Sequence, residues 1–273
     1  MWNSSFNFAK NTSKVIELTP DIHTLVYSTA IDGTGAFGFA TIVNKDSGAT
    51  WGQLRGTGIL KNANGVPILN ADGTYQPVLN DYFGSVLPDF TGGFFNSFSY
   101  KNLSLAIGID FQKGGKFFSL SEMWGNFSGL YKETAELNDK GKNVRDAVAD
   151  GGGVHVKGVD KDNKPVDMYV EGYDYFHQFY FSNKIAEPYI HDASYIKLRS
   201  ISFGYDLPVK KIFKADNNPI QKITVSLVGQ NLWLLARAKD NTNWDPSELG
   251  NKYGENGGLP STRSYGFSIK LGF

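Results

Sequence analysis

The residues best suited to chemistry form an aromatic run in the second half of the chain. Between residues 173 and 181, Tyr and Phe rings are interspersed with Asp174, His177 and Gln178. Stacking rings beside amide and carboxylate groups can hold a sugar or a peptide by its apolar faces and polar edges. The candidate contacts with a substrate or a partner protein are Tyr173, Tyr175, His177, Tyr180 and Trp244. The alternative role of this run is packing, in which it would tie a long loop to the rest of the fold.

Catalytic and metal-binding patterns have little support in the sequence. The chain contains no Cys, which excludes thiolate metal ligands and cysteine nucleophiles. No two of its His residues have the spacing of an HExxH zinc motif, and neither a GxSxG elbow nor a Walker loop occurs. Residues 160–165 carry clustered Asp but lack the glycine and the distant glutamate of an EF-hand, so we predict a polar turn between two short strands. We expect no catalytic residue, no metal and no cofactor.

Charge balance and hydropathy narrow the class of protein. The 273 residues carry 27 Lys and Arg against 27 Asp and Glu, so nothing favours a nucleic acid partner. No run of about 18 apolar residues occurs, which excludes a membrane-spanning helix. The mean hydropathy of -0.30 is that of a soluble protein. A transmembrane β-barrel can have the same average, because only alternate residues of its strands face lipid.

Six stretches alternate apolar and polar residues over roughly the 9–11 residues that a membrane-crossing strand needs. They are residues 2–18, 93–100, 103–111, 194–207, 221–233 and 263–273. Since successive strand side chains point to opposite faces, each stretch has one apolar face. The predicted lipid-facing set is Leu105, Ile107, Ile109, Phe203, Ile223, Leu227, Phe267 and Ile269.

The connections between these stretches alternate in length. Residues 101–102 and 208–220 form short links, whereas residues 19–90, 112–193 and 234–262 form long ones. In an antiparallel sheet, this alternation places all short links at one end and all long links at the other. Outer-membrane barrels have this pattern, with short periplasmic turns and long extracellular loops. The alternative is a soluble β-sandwich, in which the apolar faces would pack on a second sheet.

The two termini add to this interpretation. Bacterial outer-membrane barrels commonly finish on a strand with a terminal Phe, and the closing stretch ends on Phe273. Residues 1–10 contain no signal-peptide pattern and begin within a stretch that already alternates as a strand does. We therefore expect this sequence to be a fragment of a longer protein.

Several segments are similar, in order, to segments of one known family. Residues 192–208, DASYIKLRSISFGYDLP, are close to that family's ASYLRLRNVTLGYTLP segment. Residues 228–233, VGQNLW, are similar to its SGQNLFT strand end. The other similar segments are residues 7–11, 51–56, 88–94, 100–105 and 245–246. Together they resemble the SusC/RagA family, which are TonB-linked outer-membrane nutrient transporters of Bacteroidota.

The resemblance implies a fold. Residues 1–273 would be the carboxyl-terminal part of a TonB-dependent receptor β-barrel, without the plug domain and TonB box of the full-length relatives. The fold class would be all-β, with about six strands of a large antiparallel transmembrane barrel and long extracellular loops. Phe273 would be read as an assembly signal.

The resemblance also implies a function. The intact protein would lie in the cell outer membrane and import oligosaccharides or other large nutrients, without being an enzyme. Its partners would be a SusD-like surface lipoprotein, the TonB complex through the missing amino-terminal part, outer-membrane lipid, and an oligosaccharide or peptide substrate. The rival hypothesis is a soluble secreted β-sandwich that serves as a glycan-binding module.

Overall fold

The computed structural model describes residues 1–28, 40–45, 48–213, 219–241, 243–249 and 254–273, which form mostly strands. The strands are β1 (Trp2–Ala9), β2 (Thr24–Ser28), β3 (Ala40–Lys45), β4 (Gln53–Ile59), β5 (Pro77–Ser85), β6 (Pro88–Tyr100), β7 (Leu103–Gly114), β8 (Lys116–Ser119), β9 (Val154–Val159), β10 (Pro165–Val170), β11 (Ile190–Asp192), β12 (Tyr195–Leu207), β13 (Lys222–Arg237), β14 (Gly254–Glu255) and β15 (Ser264–Gly272). The α-helices are α1 (Leu120–Phe127), α2 (Gly172–His177) and α3 (Val209–Ile212). The predicted all-β class is confirmed.

The main sheet contains the six strands that the alternating stretches predict. Their order is β1-β6-β7-β12-β13-β15, and each strand is antiparallel to its neighbours. The two-residue turn after β6 lies beside the end of β12. The Asp206 backbone N–H donates to the Asn102 carbonyl oxygen over 2.8 Å, and Asn102 Nδ2 donates to the Asp206 carbonyl oxygen over 3.0 Å. The short links therefore share one end of the sheet, as predicted, and the long links lie at the other.

The first predicted strand is too long. We expected it to reach residue 18, but β1 ends at Ala9, opposite Thr91 of β6. Between residues 10 and 18, all of which the structure describes, the β-structure is limited to an isolated bridge between Val15 and Ala49. Residues 10–14 are all polar, so the alternation of apolar residues stops at Ala9, and the strand stops with it.

The long links contain secondary structure of their own. The first two form a four-stranded sheet (β2-β3-β4-β5), a hairpin (β9-β10), the strands β8 and β11 and the helices α1 and α2, and the last long link adds β14 to complete a three-stranded sheet (β11-β8-β14). Their shared core is Ala40, Ile42, Leu54, Val86, Phe118, Leu120, Met123, Phe179, Ile185, Ala186 and Tyr189. We call this assembly the loop layer. The predicted polar turn at residues 160–165 is confirmed, since it joins β9 to β10.

Helix α1 in the loop layer has an N-cap residue and one apolar side, both of which are local features of the sequence. Ser119 caps it by accepting a hydrogen bond from the backbone N–H of Glu122, over 3.2 Å. Leu120 and Met123 are buried on one side of the helix. Among the described residues, no helix has the length and apolar character needed to cross a membrane.

Candidate functional site

One face of the main sheet is a continuous apolar surface. Directly paired residues of neighbouring strands have their side chains on the same face. The register places six apolar side chains, one from each strand, in a single row: Trp2, Phe98, Leu105, Phe203, Leu227 and Phe267. Five of these side chains are exposed, with Leu227 66% and Phe267 76% exposed, and Leu105 is half-buried. Among the described residues, nothing covers this apolar row.

All eight residues predicted to face lipid lie on this apolar face. Leu105, Ile107 and Ile109 alternate along β7, and Ile107 pairs with Ile201 of β12. Ile223 and Leu227 share the same face of β13, where Ile223 pairs with Leu271 of β15. The remaining members are Phe203, Phe267 and Ile269. Their contact with lipid stays a prediction.

The opposite face carries small and polar side chains. One row across it contains Ser99, Ser104, Gly204, Ser226 and Ser268. A Cβ atom at Gly204 would lie 2.5 Å from the Ser104 hydroxyl and 2.8 Å from the Ser226 hydroxyl, so the glycine permits this close row. A sheet that is apolar on its open face and polar on the other differs from a β-sandwich, whose apolar face packs inside.

The apolar face has the height of a membrane. On β12 it extends from Leu207 to Ile196, which is roughly 33–36 Å of strand at about 3.3 Å per residue. At a barrel tilt of about 40°, this corresponds to roughly 25–28 Å along the membrane normal, close to the ~25 Å apolar band of outer-membrane barrels.

A buried cation lies on the other side of β12, near the long-loop end. Lys197 is 1% exposed. Its Nζ lies 2.6 Å from Asp245 Oδ2, 3.0 Å from Ser247 Oγ and 3.3 Å from Glu248 Oε1. A buried ammonium needs such partners because its transfer from water is unfavourable. The last long link is therefore held against the sheet by this lysine.

A second cation extends the same cluster to β7. Arg199 donates two hydrogen bonds to Asp110, from Nε to Oδ1 over 3.0 Å and from Nη2 to Oδ2 over 2.7 Å. Arg199 Nη1 also donates to Glu248, which is a partner of Lys197. The Tyr195 hydroxyl donates to Asp110 Oδ2 over 3.0 Å. Such a bidentate pair fixes geometry as well as charge.

The electrostatics of the cluster stabilise its ionised form. Burial alone would raise the pKa of Asp245, but hydrogen bonds from Lys197 and Ser247 outweigh it and hold the pKa below its ordinary value. A lysine in a membrane-crossing strand is more often at the water-facing rim. The Lys197 ammonium is instead buried among carboxylates of the last long link. The signal in the sequence was a pair of cations two positions apart in an alternating strand, with the Asp-Pro pair downstream.

The predicted aromatic run divides into packed and open side chains. It forms α2 and a wider helical turn over Gln178–Ser182. The Tyr175 ring packs against Phe179, with centroids 5.5 Å apart, and burial raises the pKa of its hydroxyl. Tyr180 stacks on Phe127 with centroids 4.7 Å apart. Tyr175 and Tyr180 are therefore partly buried and pack against the core of the loop layer, which agrees with the packing alternative.

Tyr173 and His177 remain at the surface of the loop layer. Their rings stack with centroids 3.6 Å apart. Both line a cavity of about 270 Å³ together with Arg145, whose guanidinium donates to Thr134 and Gly129. These groups offer an aromatic surface beside a cation.

Trp244 lies at a different cavity, of about 580 Å³, beneath the last long link. Its buried indole N–H has no hydrogen-bond partner among the described residues, so the N–H can donate to a bound acceptor. The structure thus does not unite the five predicted contact residues in one site. Substrate or partner contact stays a prediction for each of them. The part of the chain that is described contains no group of three or more His, Asp or Glu residues placed to hold a metal ion.

Curated relatives give the first independent comparison. TonB-dependent receptor P3 of Formosa agariphila is 23% identical over 304 aligned residues, covering 100% of this chain and 27% of the relative. The chain is similar to TonB-dependent receptors. Receptor P26 of the same organism is 28% identical over 191 residues, covering 69% of this chain and 16% of the relative. This receptor-like chain thus spans about a quarter or less of these relatives. No family model matches it.

Solved structures agree on the fold of this receptor-like chain. The RagAB peptide importer in its open-open state aligns with a TM-score of 0.59 and 19% identity, covering 100% of this chain and 27% of the other. Its closed-closed state aligns with a TM-score of 0.58, 18% identity and coverage of 99% and 27%. The predicted resemblance to SusC/RagA-like TonB-dependent transporters is confirmed.

The receptor-like segments of the sequence meet in the charged cluster. Residues 192–208 contain β12 with Tyr195, Lys197 and Arg199, and the Asp245-Pro246 pair supplies a carboxylate for Lys197. Two of the segments that resemble the family, residues 192–208 and 245–246, thus contact each other in one ionic network.

Proposed function

We propose that residues 1–273 form the carboxyl-terminal barrel wall of a SusC/RagA-like TonB-dependent transporter in the outer membrane. The observation that carries this proposal is the exposed apolar row across all six strands. An open apolar face of this size in water would promote association, whereas in a membrane it is matched by lipid. The paired strands satisfy the backbone groups that hydrocarbon cannot.

The orientation follows from the lengths of the links. The two short links face the periplasm, and the loop layer covers the extracellular mouth. The polar face, with its rows of small side chains, lines the lumen. The Lys197 cluster holds the last long link against this inner wall, where it shapes the path of a substrate.

In this proposal, the intact protein imports large nutrients with a SusD-like surface lipoprotein over its mouth. Oligosaccharides and peptides are both candidate substrates, and the likeness to the RagAB peptide importer supports the peptide alternative. Energy comes from the TonB complex through a part outside this chain. Tyr173 and His177 meet substrate or the lipoprotein at the surface, and Trp244 donates its indole N–H to a substrate acceptor inside the cavity.

Surface labelling of intact cells tests the location and orientation. One epitope is inserted at Gly141, an exposed turn of the loop layer where an added Cβ meets no atom within 4 Å. A matched epitope is inserted in the short link at residues 208–220 of the same full-length protein. We expect an antibody to label the first on intact cells and the second only after the outer membrane is opened. Labelling of both on intact cells would contradict the orientation, and recovery of the protein in the soluble fraction would contradict the location.

A nutrient test follows once location is established. Growth on a complex oligosaccharide or peptide mixture should depend on the full-length protein and on TonB energisation. The secreted glycan-binding module would instead bind glycan as a soluble monomer. The open apolar face argues against that alternative, because no described element packs over it.

A further inference from the structure

A cleft of about 650 Å³ lies where the apolar face meets the loop layer. Its floor is apolar and contains Phe111, Ile196 and Ala236, which the register places in one row across β7, β12 and β13. Phe90 continues the floor, with its ring centroid 6.4 Å from that of Phe111. This row is the last of the apolar face on the long-loop side, so the floor of the cleft is continuous with the apolar face.

The rim of the cleft is basic. Lys113 lies two positions beyond Phe111 on the same face of β7, which places it roughly 7 Å past the last apolar row. Lys116, Arg237 and Lys239 also line the cleft. The acidic lining residues are Asp192 and Asp240, so four basic groups face two acidic ones.

Part of this charge is already compensated. The Lys116 Nζ atom lies 3.6 Å from Asp192 Oδ2, and Asp240 Oδ2 accepts a hydrogen bond from the Asp192 backbone N–H over 3.0 Å. Lys113 and Lys239 are exposed, and neither forms an ion pair within the described residues. These two ammonium groups therefore remain available to an anion held above an apolar floor.

We propose that this cleft binds the phosphate-bearing headgroup of an anionic lipid, with one acyl chain along its floor. The inference rests on the proposed function, which places the apolar face in a membrane. Since the apolar face spans the hydrocarbon core, the Lys113 and Lys239 ammonium groups just beyond its last row lie at the level of the lipid headgroups. A free phosphate would bind the basic rim without contacting the apolar floor, whereas a lipid has a phosphate group for the rim and an acyl chain for the floor.

Lipid selectivity of the full-length protein tests the inference. The protein is reconstituted into phosphatidylcholine vesicles, and spin-labelled phosphatidylglycerol is compared with spin-labelled phosphatidylcholine by electron paramagnetic resonance. We expect the protein to prefer the anionic label by about fivefold or more, since one basic side chain near a surface contributes about that factor. The preference should fall to less than about twofold in the double variant Lys113→Gln/Lys239→Gln.

The matched control is Lys161→Gln/Lys164→Gln, which removes the same charge from an exposed turn of the loop layer outside the cleft. It should retain the wild-type preference. An equal loss in both double variants would overturn the inference in favour of a general surface field. Displacement of the anionic label by inorganic phosphate, with chloride of equal ionic strength as its control, would assign the cleft to a soluble anion instead.

Failure of the inference is distinguishable from failure of the proposed function. If the wild-type protein inserts into the vesicles without preferring the anionic label, only the lipid site is refuted. If it does not insert into the vesicles at all, the proposed membrane location itself fails.

Discussion

Leu198 and Ile201 both lie on the apolar face of β12, although three positions separate them. Leu198 pairs with Ile109 and Ile201 pairs with Ile107, and those partners are only two positions apart on β7. The extra residue in β12 is Arg199, at a bulge. A regular strand would carry Lys197 on the same face as Ile201. The bulge reverses the alternation, so Ile196 and Leu198 join the apolar face while Lys197 turns towards its carboxylate partners.

A charge on the apolar face should be far more harmful than the same charge on its neighbour. We expect Leu227→Arg to destabilise the full-length protein in lipid by about 2–4 kcal/mol, because the guanidinium would meet the bilayer interior. The control is Ser226→Arg, which places the same side chain on the opposite face of β13. Folding into vesicles, followed by urea titration, measures the difference. Equal losses for both variants would refute the assigned faces.

Removal of the buried lysine should release the last long link. Lys197→Met leaves Asp245 and Glu248 without their shared cation, and breaking a buried pair costs about 3–5 kcal/mol. We expect protease cleavage within residues 238–263 to increase strongly, while the protein remains in the membrane. Lys270→Met is the control, since Lys270 is exposed on β15. Cleavage unchanged from wild type in Lys197→Met would show that the cluster does not hold this link.

The same contact should respond to acid. The folded-state pKa of Asp245 lies below the ordinary value of 3.8, so its ionisation stabilises the loop above that pH. This contribution is lost as pH falls through the folded pKa. Hydrogen exchange of residues 243–249, corrected for the intrinsic pH dependence, should rise below about pH 4 in the wild type. Asp245→Asn should show a flatter profile, and identical profiles would argue against the carboxylate.

Two neighbouring tyrosines of the aromatic run should behave differently. Tyr175→Ala should destabilise the loop layer by about 3–5 kcal/mol, as expected for a large ring removed from a core. Tyr173→Ala should change stability by less than about 0.5 kcal/mol, because its ring is 70% exposed. If Tyr173 meets the substrate, its variant alone should lower nutrient uptake at an unchanged surface level. Wild-type uptake in Tyr173→Ala would remove this residue from the candidate contacts.

A test of the proposed assembly role of Phe273 must distinguish loss of recognition by the assembly machinery from loss of folding stability. Phe273→Ala removes at most about 1.5–3 kcal/mol of apolar burial. If the assembly machinery reads this ring, the outer-membrane level of the full-length protein should fall much further than its synthesis. Phe267→Ala is the control, because it removes the same ring from the middle of β15. Membrane fractionation with a loop epitope compares the two, and equal levels would exclude a special role for Phe273.

Local patterns were sufficient for the six strands of the main sheet. Residues 103–111 alternate between two faces, and this period follows from backbone geometry alone. The turn at residues 101–102 makes β6 and β7 neighbours. The order of long and short links predicts at which end of the sheet each link lies. The apolar face could be predicted because each of the six strands alternates apolar and polar residues and therefore has one apolar side.

The loop layer and the charged cluster required the tertiary structure. The burial of Lys197 depends on Asp245, which is 48 positions away, and on a bulge that a two-residue period cannot reveal. Tyr175 is packed and Tyr173 is open because residues brought from another long link, including Tyr75, cover only one of them. Strand alternation is a property of neighbouring residues, whereas burial and charge pairing depend on which distant segments meet. The sequence alone therefore predicted the sheet and its apolar face, and only the folded chain decided which side chains face each other across it.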